Sequence, residues 1–196
     1  PDGRGSSLEL VNPGVDNAVG ANWAASKESD KSEWKEYSWT GRLDNGALPG
    51  GSPRHEIQIM LLGAGECLID DVKVSQNSEV NLATNPSFER QTASWVIQGN
   101  HVKSTASERG QASSGNYSLH LRASSGGDNG ANRIETDLTR NLTINQEATI
   151  SAKVKWLRGS ENLLLRLLGN YGELSAKLEL PKELGSPGQV NSTRAE

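Results

Sequence analysis

The strongest constraint on this chain is a two-residue alternation of apolar and polar side chains, recurring in short segments. Leu8 and Leu10 flank Glu9, Ile57 and Ile59 flank Gln58, and Leu119 and Leu121 flank His120. The stretches TISAKVKWL (149–157), NLLLRLLGN (162–170) and AKLEL (176–180) continue the pattern. Successive side chains of an extended strand point to opposite faces, so this period reads as strands with one face buried. Each segment is bounded by Gly, Asn or Ser, and Gly 21 against Pro 7 indicates frequent turns. No apolar stripe at helical spacing competes with this reading. The expected fold is all-β, an antiparallel β-sandwich of jelly-roll type. Two segments carry specific expectations. ESDKSEWKEYSW (28–39) reads either as a helix capped at Ser29 or Asp30, or as a turn followed by a strand over 33–39; the strand is preferred, with Trp34 and Trp39 on opposite faces. In ECLIDDVKV (66–74), strict alternation sets Leu68, Asp70, Val72 and Val74 on one face and Ile69, Asp71 and Lys73 on the other.

An internal match suggests how the segments are organised. GSSLELVNPGVDNAVGANW (5–23) resembles GNYSLHLRASSGGDNGANR (115–133): both run Ser-Leu-x-Leu, then a polar loop with Asp-Asn, then Ala-Asn. This predicts two related modules in tandem, the first without its opening strands, with a seam at QNSEVN (76–81). The expected division is a truncated module over 1–76, a fuller one over 77–185 and a polar tail over 186–196. A module that lacks strands leaves an unpaired edge, which predicts a homodimer of the chain through that edge.

Composition bears mainly on function. A hydrophobic content of 34% and an aromatic content of 5% indicate a thin core, as two-sheet folds have. The formal net charge of −4 and the lack of a Lys/Arg run argue against nucleic-acid binding. No apolar run reaches the length of a membrane span. The opening PDGRGSSLEL reads as mid-protein sequence, so the chain is expected to be part of a larger protein. The lone cysteine, Cys67, sits in an apolar-alternating strand and is expected to be a buried thiol. His55, His101 and His120 show no metal-ligand spacing, and no nucleophile elbow or phosphate loop occurs, so no catalytic activity is expected. Sugar recognition needs exposed rings flanked by polar groups. Trp156 continues the alternation of Val154 and reads as core. Tyr117 and Tyr171 lie beside turns and are the candidate platforms, with Asn132 and Arg133 as polar partners near Tyr117.

NLATNPSFERQTASWVIQGN (81–100) resembles the opening of jelly-roll carbohydrate-binding modules of families four, nine and twenty-two, through Asn81, Asn85, Phe88, Glu89, Trp95 and Gly99. Gly115, Ser118, Leu119 and Leu121 continue that pattern, and ECLIDDVKV resembles the closing strand of such a module. The resemblance implies a jelly roll that binds carbohydrate without catalysis, with Trp95 in its core. It also implies a structural calcium held by Glu89 with Asp70 or Asp71; under the tandem division, Glu89 opens the second module while Asp70 and Asp71 close the first. The flanks, DGRGSSLELVNPGVDNAVGANWAAS (2–26) and LGSPGQVNS (184–192), resemble parts of a bacterial lamin-tail domain, which implies an extracellular or cell-surface parent protein. The alternative expectation is a structural spacer or protein-interaction segment with no small ligand.

Overall fold

The computed structural model describes residues 8–10, 14–25, 32–43, 55–77, 80–127, 131–168 and 172–180. These form strands β1 (Leu8–Leu10), β2 (Trp23–Ala25), β3 (Lys35–Arg42), β4 (Glu56–Leu61), β5 (Gly65–Gln76) and β6 (Val96–Ile97). They continue as β7 (Thr105–Ala106), β8 (Leu119–Ala123), β9 (Ile134–Asp137), β10 (Glu147–Gly159), β11 (Asn162–Leu167) and β12 (Glu173–Lys177). The helical content of the described residues is two 3-10 turns, at Gly20–Asn22 and Gly99–His101. The expected all-β sandwich is therefore observed. The first sheet runs β3-β10-β5-β8-β7, the second β12-β11-β4-β9-β6, and their ladders are antiparallel. β1 and β2 pair with each other as a small hairpin, whose turn is held by Asp16 Oδ1 accepting from Ala18 N and by Trp23 Nε1 donating to Asn17 O, both 2.8 Å.

The alternation identified the strands because the sheets pack face to face and each hides one row of side chains. Ile57, Ile59 and Leu61 of β4 and Leu163, Leu165 and Leu167 of β11 face Cys67 and Ile69 of β5, Leu119 and Leu121 of β8, and Ile150, Val154 and Trp156 of β10. Over 35–42 the preferred strand is present: Tyr37 and Trp39 pack against the core while the residues between them are exposed.

β5 departs from strict alternation. Its register with β10 shifts between the Ser151↔Lys73 and Lys153↔Asp70 pairs, and Asp71 takes a left-handed φ of 49°. This is a β-bulge, in which one extra residue re-aims the side chains beyond it. Cys67 and Ile69 before it, and Val72 and Val74 after it, consequently all reach the core, so Leu68 does not share a face with Val72 and Val74 as alternation alone predicts. The bulge also leaves Asp70 and Asp71 together, both directed away from the core.

The sheets do not divide at 76–81. Each takes strands from both sides of that segment: β3 and β5 lie with β7, β8 and β10, while β4 lies between β9 and β11. The physical reason is burial. The inner rows of β4 and β5 are fully covered; they face each other, and most of the rest of the core around them comes from 80–180. Asn81 makes the crossing tight: its Oδ1 accepts from Val74 N and Ala83 N at 3.1 and 3.0 Å, and its Nδ2 donates to Val72 O at 2.8 Å.

Candidate functional site

Glu89, Asp70 and Asp71 converge on one loop, residues 113–117, although they lie on opposite sides of the expected seam. Asp70 is fully buried; its Oδ2 accepts from Ser113 N and Ser114 N at 2.9 and 3.0 Å, and its Oδ1 from Asp71 N at 2.8 Å. Asp71 Oδ1 accepts from the Ser114 hydroxyl at 2.7 Å, and its Oδ2 lies 3.1 Å from Lys153 Nζ. Glu89 Oε1 accepts from Asn116 N and Tyr117 N at 2.8 and 2.9 Å, and Oε2 from Asn116 Nδ2 at 3.2 Å. Gly115 sits between the two grips with φ +68°, and a Cβ there would meet Glu89 Oε1 at 2.5 Å. Burial raises the Asp70 carboxyl above its ordinary range, whereas the Tyr117 and Asn116 amides lower that of Glu89.

Calcium is bound by oxygen donors. Here the carboxylates face N–H groups, the Ser114 hydroxyl and a lysine, all of them donating, and among the described residues no three His, Cys, Asp or Glu side chains gather around a common point. In this arrangement they do not fit a calcium site; they act as clamps on backbone amides.

The rest of the opening motif is likewise structural. Asn85 Nδ2 donates to Gln91 O and Ala93 O, and Trp95 Nε1 donates to Asn85 O at 3.1 Å. The Trp95 ring stacks on Phe88 with centroids 5.1 Å apart, and both are buried. Gly99 has φ +60° and leaves no room for a Cβ against Ala131 O.

A different cluster occupies the outward face of the second sheet, where β4, β9 and β11 run side by side. Gln58 is 3% exposed; its Nε2 donates to Glu56 Oε1 at 2.6 Å and its Oε1 accepts from Arg166 Nε at 3.2 Å. Arg133 pairs with Glu135 and lies 3.8 Å from Glu56 Oε1, and Gln98 Nε2 donates to Glu135 Oε1 at 3.0 Å. Arg166 also reaches Glu173 at 4.0 Å and stands 3.7 Å from the Met60 sulfur. Burial, followed by the hydrogen bond and charge of the neighbouring Glu135, raises the Glu56 carboxyl above its ordinary range. Cross-strand register assembles this face, since β4 pairs β9 through Gln58↔Glu135 and β11 through Arg166↔Gln58.

A third group lies on the outward face of the first sheet. His120 Nε2 is 2.8 Å from Glu66 Oε2, Arg122 Nη2 is 2.9 Å from His120 Nδ1, and Arg158 pairs with Glu66. The His120 hydrogen bond, aided by Arg158, holds the Glu66 carboxyl down at about 2.

Of the residues expected to touch a ligand, Arg133 joins the second-sheet cluster. Asn132 is spent locally, its Oδ1 accepting from Asn100 N at 3.1 Å. Tyr117 is half-buried beside the clamped loop and leads into β8 of the first sheet, so it is attached to a different sheet from Arg133. Tyr171 lies outside the described residues. Glu56, Gln58, Gln98, Glu135 and Arg166 are not singled out by sequence reasoning. Their signal is the outward parity of Gln58 in EIQIM and Arg166 in LLLRL, but parity alone does not say which outward residues become neighbours. Cys67 is buried as expected, and burial pushes its thiol up. The chain matches no protein-family model, and neither curated proteins nor solved structures provide a match.

Proposed function

We propose that this chain is a non-catalytic binding module of a larger extracellular protein and that it takes carbohydrate on the outward face of its second sheet. The observation that carries this reading is the set of planar polar groups there: Glu56, Gln58, Arg133, Glu135 and Arg166. Side-chain amides, carboxylates and guanidinium groups held in fixed orientation pair well with the adjacent hydroxyls of a sugar. Catalysis is not part of the reading. Glycoside hydrolysis by two carboxylates needs them roughly 5 Å or more apart, whereas Glu56 and Glu135 are within hydrogen-bond reach of each other.

The competing reading is a spacer or protein-interaction segment. It is favoured by the same face, because its polar groups already satisfy one another and no aromatic ring stands outward on the described strands β4, β9, β11 and β12. Retention on a panel of plant, algal and bacterial polysaccharides separates the two. The expected result is retention on one glycan class, unchanged by chelator and lost in Arg133→Ala with the thermal melt preserved. No retention on any glycan would leave the spacer reading in its place.

A further inference from the structure

Among the described residues, strand β3 ends the first sheet and is bonded to β10 on one side only. It has eight residues, against two each for β6 and β7 and five for β12, which end the sheets elsewhere. Edge strands are ordinarily protected by brevity, a proline, a bulge or an inward-pointing charge. β3 is not short and has no proline or bulge: KEYSWTGR pairs with β10 through eight consecutive residues without a register shift, with Lys35 on the half-buried face, paired to Glu33 and Glu179, and Glu36 and Arg42 pointing outward.

We propose that β3 pairs antiparallel with β3 of a second copy of this chain, across a twofold axis at Trp39, joining two five-stranded sheets into a continuous one. On a free edge every second residue directs its N–H and C=O outward, so two copies bond only where outward-directed residues face each other. That rules out an axis between two residues and requires one at a residue. With the axis at Trp39, Glu36 faces Arg42 of the second copy, Ser38 faces Thr40 and Tyr37 faces Gly41, each twice by symmetry. With the axis at Ser38, Glu36 faces Thr40 and Lys35 faces Gly41; with the axis at Thr40, Arg42 faces Ser38. Only the Trp39 register matches opposite charges. Glu36 and Arg42 are both exposed, and neither makes an ion pair among the described residues.

The inner face fits the same register. The Trp39 ring lies over Gly41 of its own strand, where a Cβ would meet it at 2.5 Å, and over Gly172. Gly41, opposite Tyr37 of the second copy, is already covered by its own Trp39 and brings no side chain of its own toward that ring. Opposite charges facing each other across strands favour the pairing, and like charges oppose it.

Sedimentation velocity from low to high micromolar concentration tests this directly, with a dimer expected at the upper end. Glu36→Arg and Arg42→Glu should each weaken association about tenfold or more, because each sets like charges opposite one another at both symmetry-related places. An equal mixture of the two variants should recover the dimer, since each supplies the charge the other lacks. This recovery separates the interface from contacts with Lys153 and Glu147, which lie opposite Glu36 and Arg42 within the chain and stay mismatched in the mixture. A monomer at every concentration overturns the proposal, as does a dimer that both substitutions leave intact or a mixture that associates no better than its parts. Should either variant fail to give a cooperative melt, hydrogen exchange on the unmodified chain decides. Protection over 35–42 should rise with concentration while that over β12 stays constant; exchange over 35–42 independent of concentration overturns the proposal.

Discussion

His101 sits at the end of a 3-10 turn with no exposed surface, and its Nε2 accepts from Leu61 N at 3.0 Å. An imidazole nitrogen that accepts an amide proton carries none itself, so the ring is neutral with its proton on Nδ1. Among the described residues Nδ1 is buried without a partner, and burial pushes the side chain down to about 4 from an ordinary 6.5. The folded state refuses a proton that the unfolded chain takes up near pH 6.5. The contribution of His101 is therefore full above pH 6.5 and falls as pH drops toward 4, by about 1.4 kcal/mol per pH unit, against an opposite trend from the raised Glu56 and Asp70 carboxyls. Glu66, held at about 2 from an ordinary 4.5, adds a second loss between pH 4.5 and 2, since its folded state favours the charged form. Urea denaturation at a series of pH values checks both windows. His101→Gln is expected to remove the slope between pH 6.5 and 4 and leave the lower one; a slope unchanged in that variant would assign it to another group.

At the scale of the element, the bulge in β5 decides both core and loop. Side chains alternate along a strand, so one residue more or less moves everything beyond it to the opposite face. The bulge at Asp71 restores Val72 and Val74 to the core after Ile69. Deleting Asp71 is expected to preserve a cooperative thermal melt, because strict pairing of the shortened strand sets Val72 opposite Ala152 and keeps Val74 opposite Ile150, both still facing the core, while the contacts of Asp71 with Ser114 and Lys153 are lost. Loss of the cooperative melt would mean that those contacts, rather than the parity of the strand, are what β5 needs at this position. Two adjacent acidic residues between Ile69 and Val72 are visible in the sequence. Their use is not, because the amides they hold belong to residues more than forty positions further along.

For the whole molecule, the telling feature is where β4 and β5 lie. β5 is flanked by β10 and β8, and β4 by β11 and β9, so residues 55–76 supply the middle strand of each sheet. A chain of residues 77–180 alone is expected to show no cooperative melt by circular dichroism, since removing a middle strand exposes the inner rows of both neighbours. Adding a separate 32–76 chain is expected to restore it. A cooperative transition of 77–180 by itself would make that half an independent domain, as the internal match with residues 5–23 suggests.

The sequence by itself determined the longer strands β3, β4, β5, β8, β10 and β11 and, in most of them, which face is buried, because a period of two is a local property that survives any pairing. The short β2, β6, β7 and β9 offer too few residues for that period to show. It also marked the opening motif and the acidic pair. Only the tertiary structure decided which strands are neighbours. Arg166 meets Gln58 across 108 positions and Asn116 meets Glu89 across 27. Alternation is satisfied equally well by many strand orders and registers. Closing one sandwich over a shared core selects among them, and it is that closure which gathers the polar face of the second sheet and the clamped loop at 113–117.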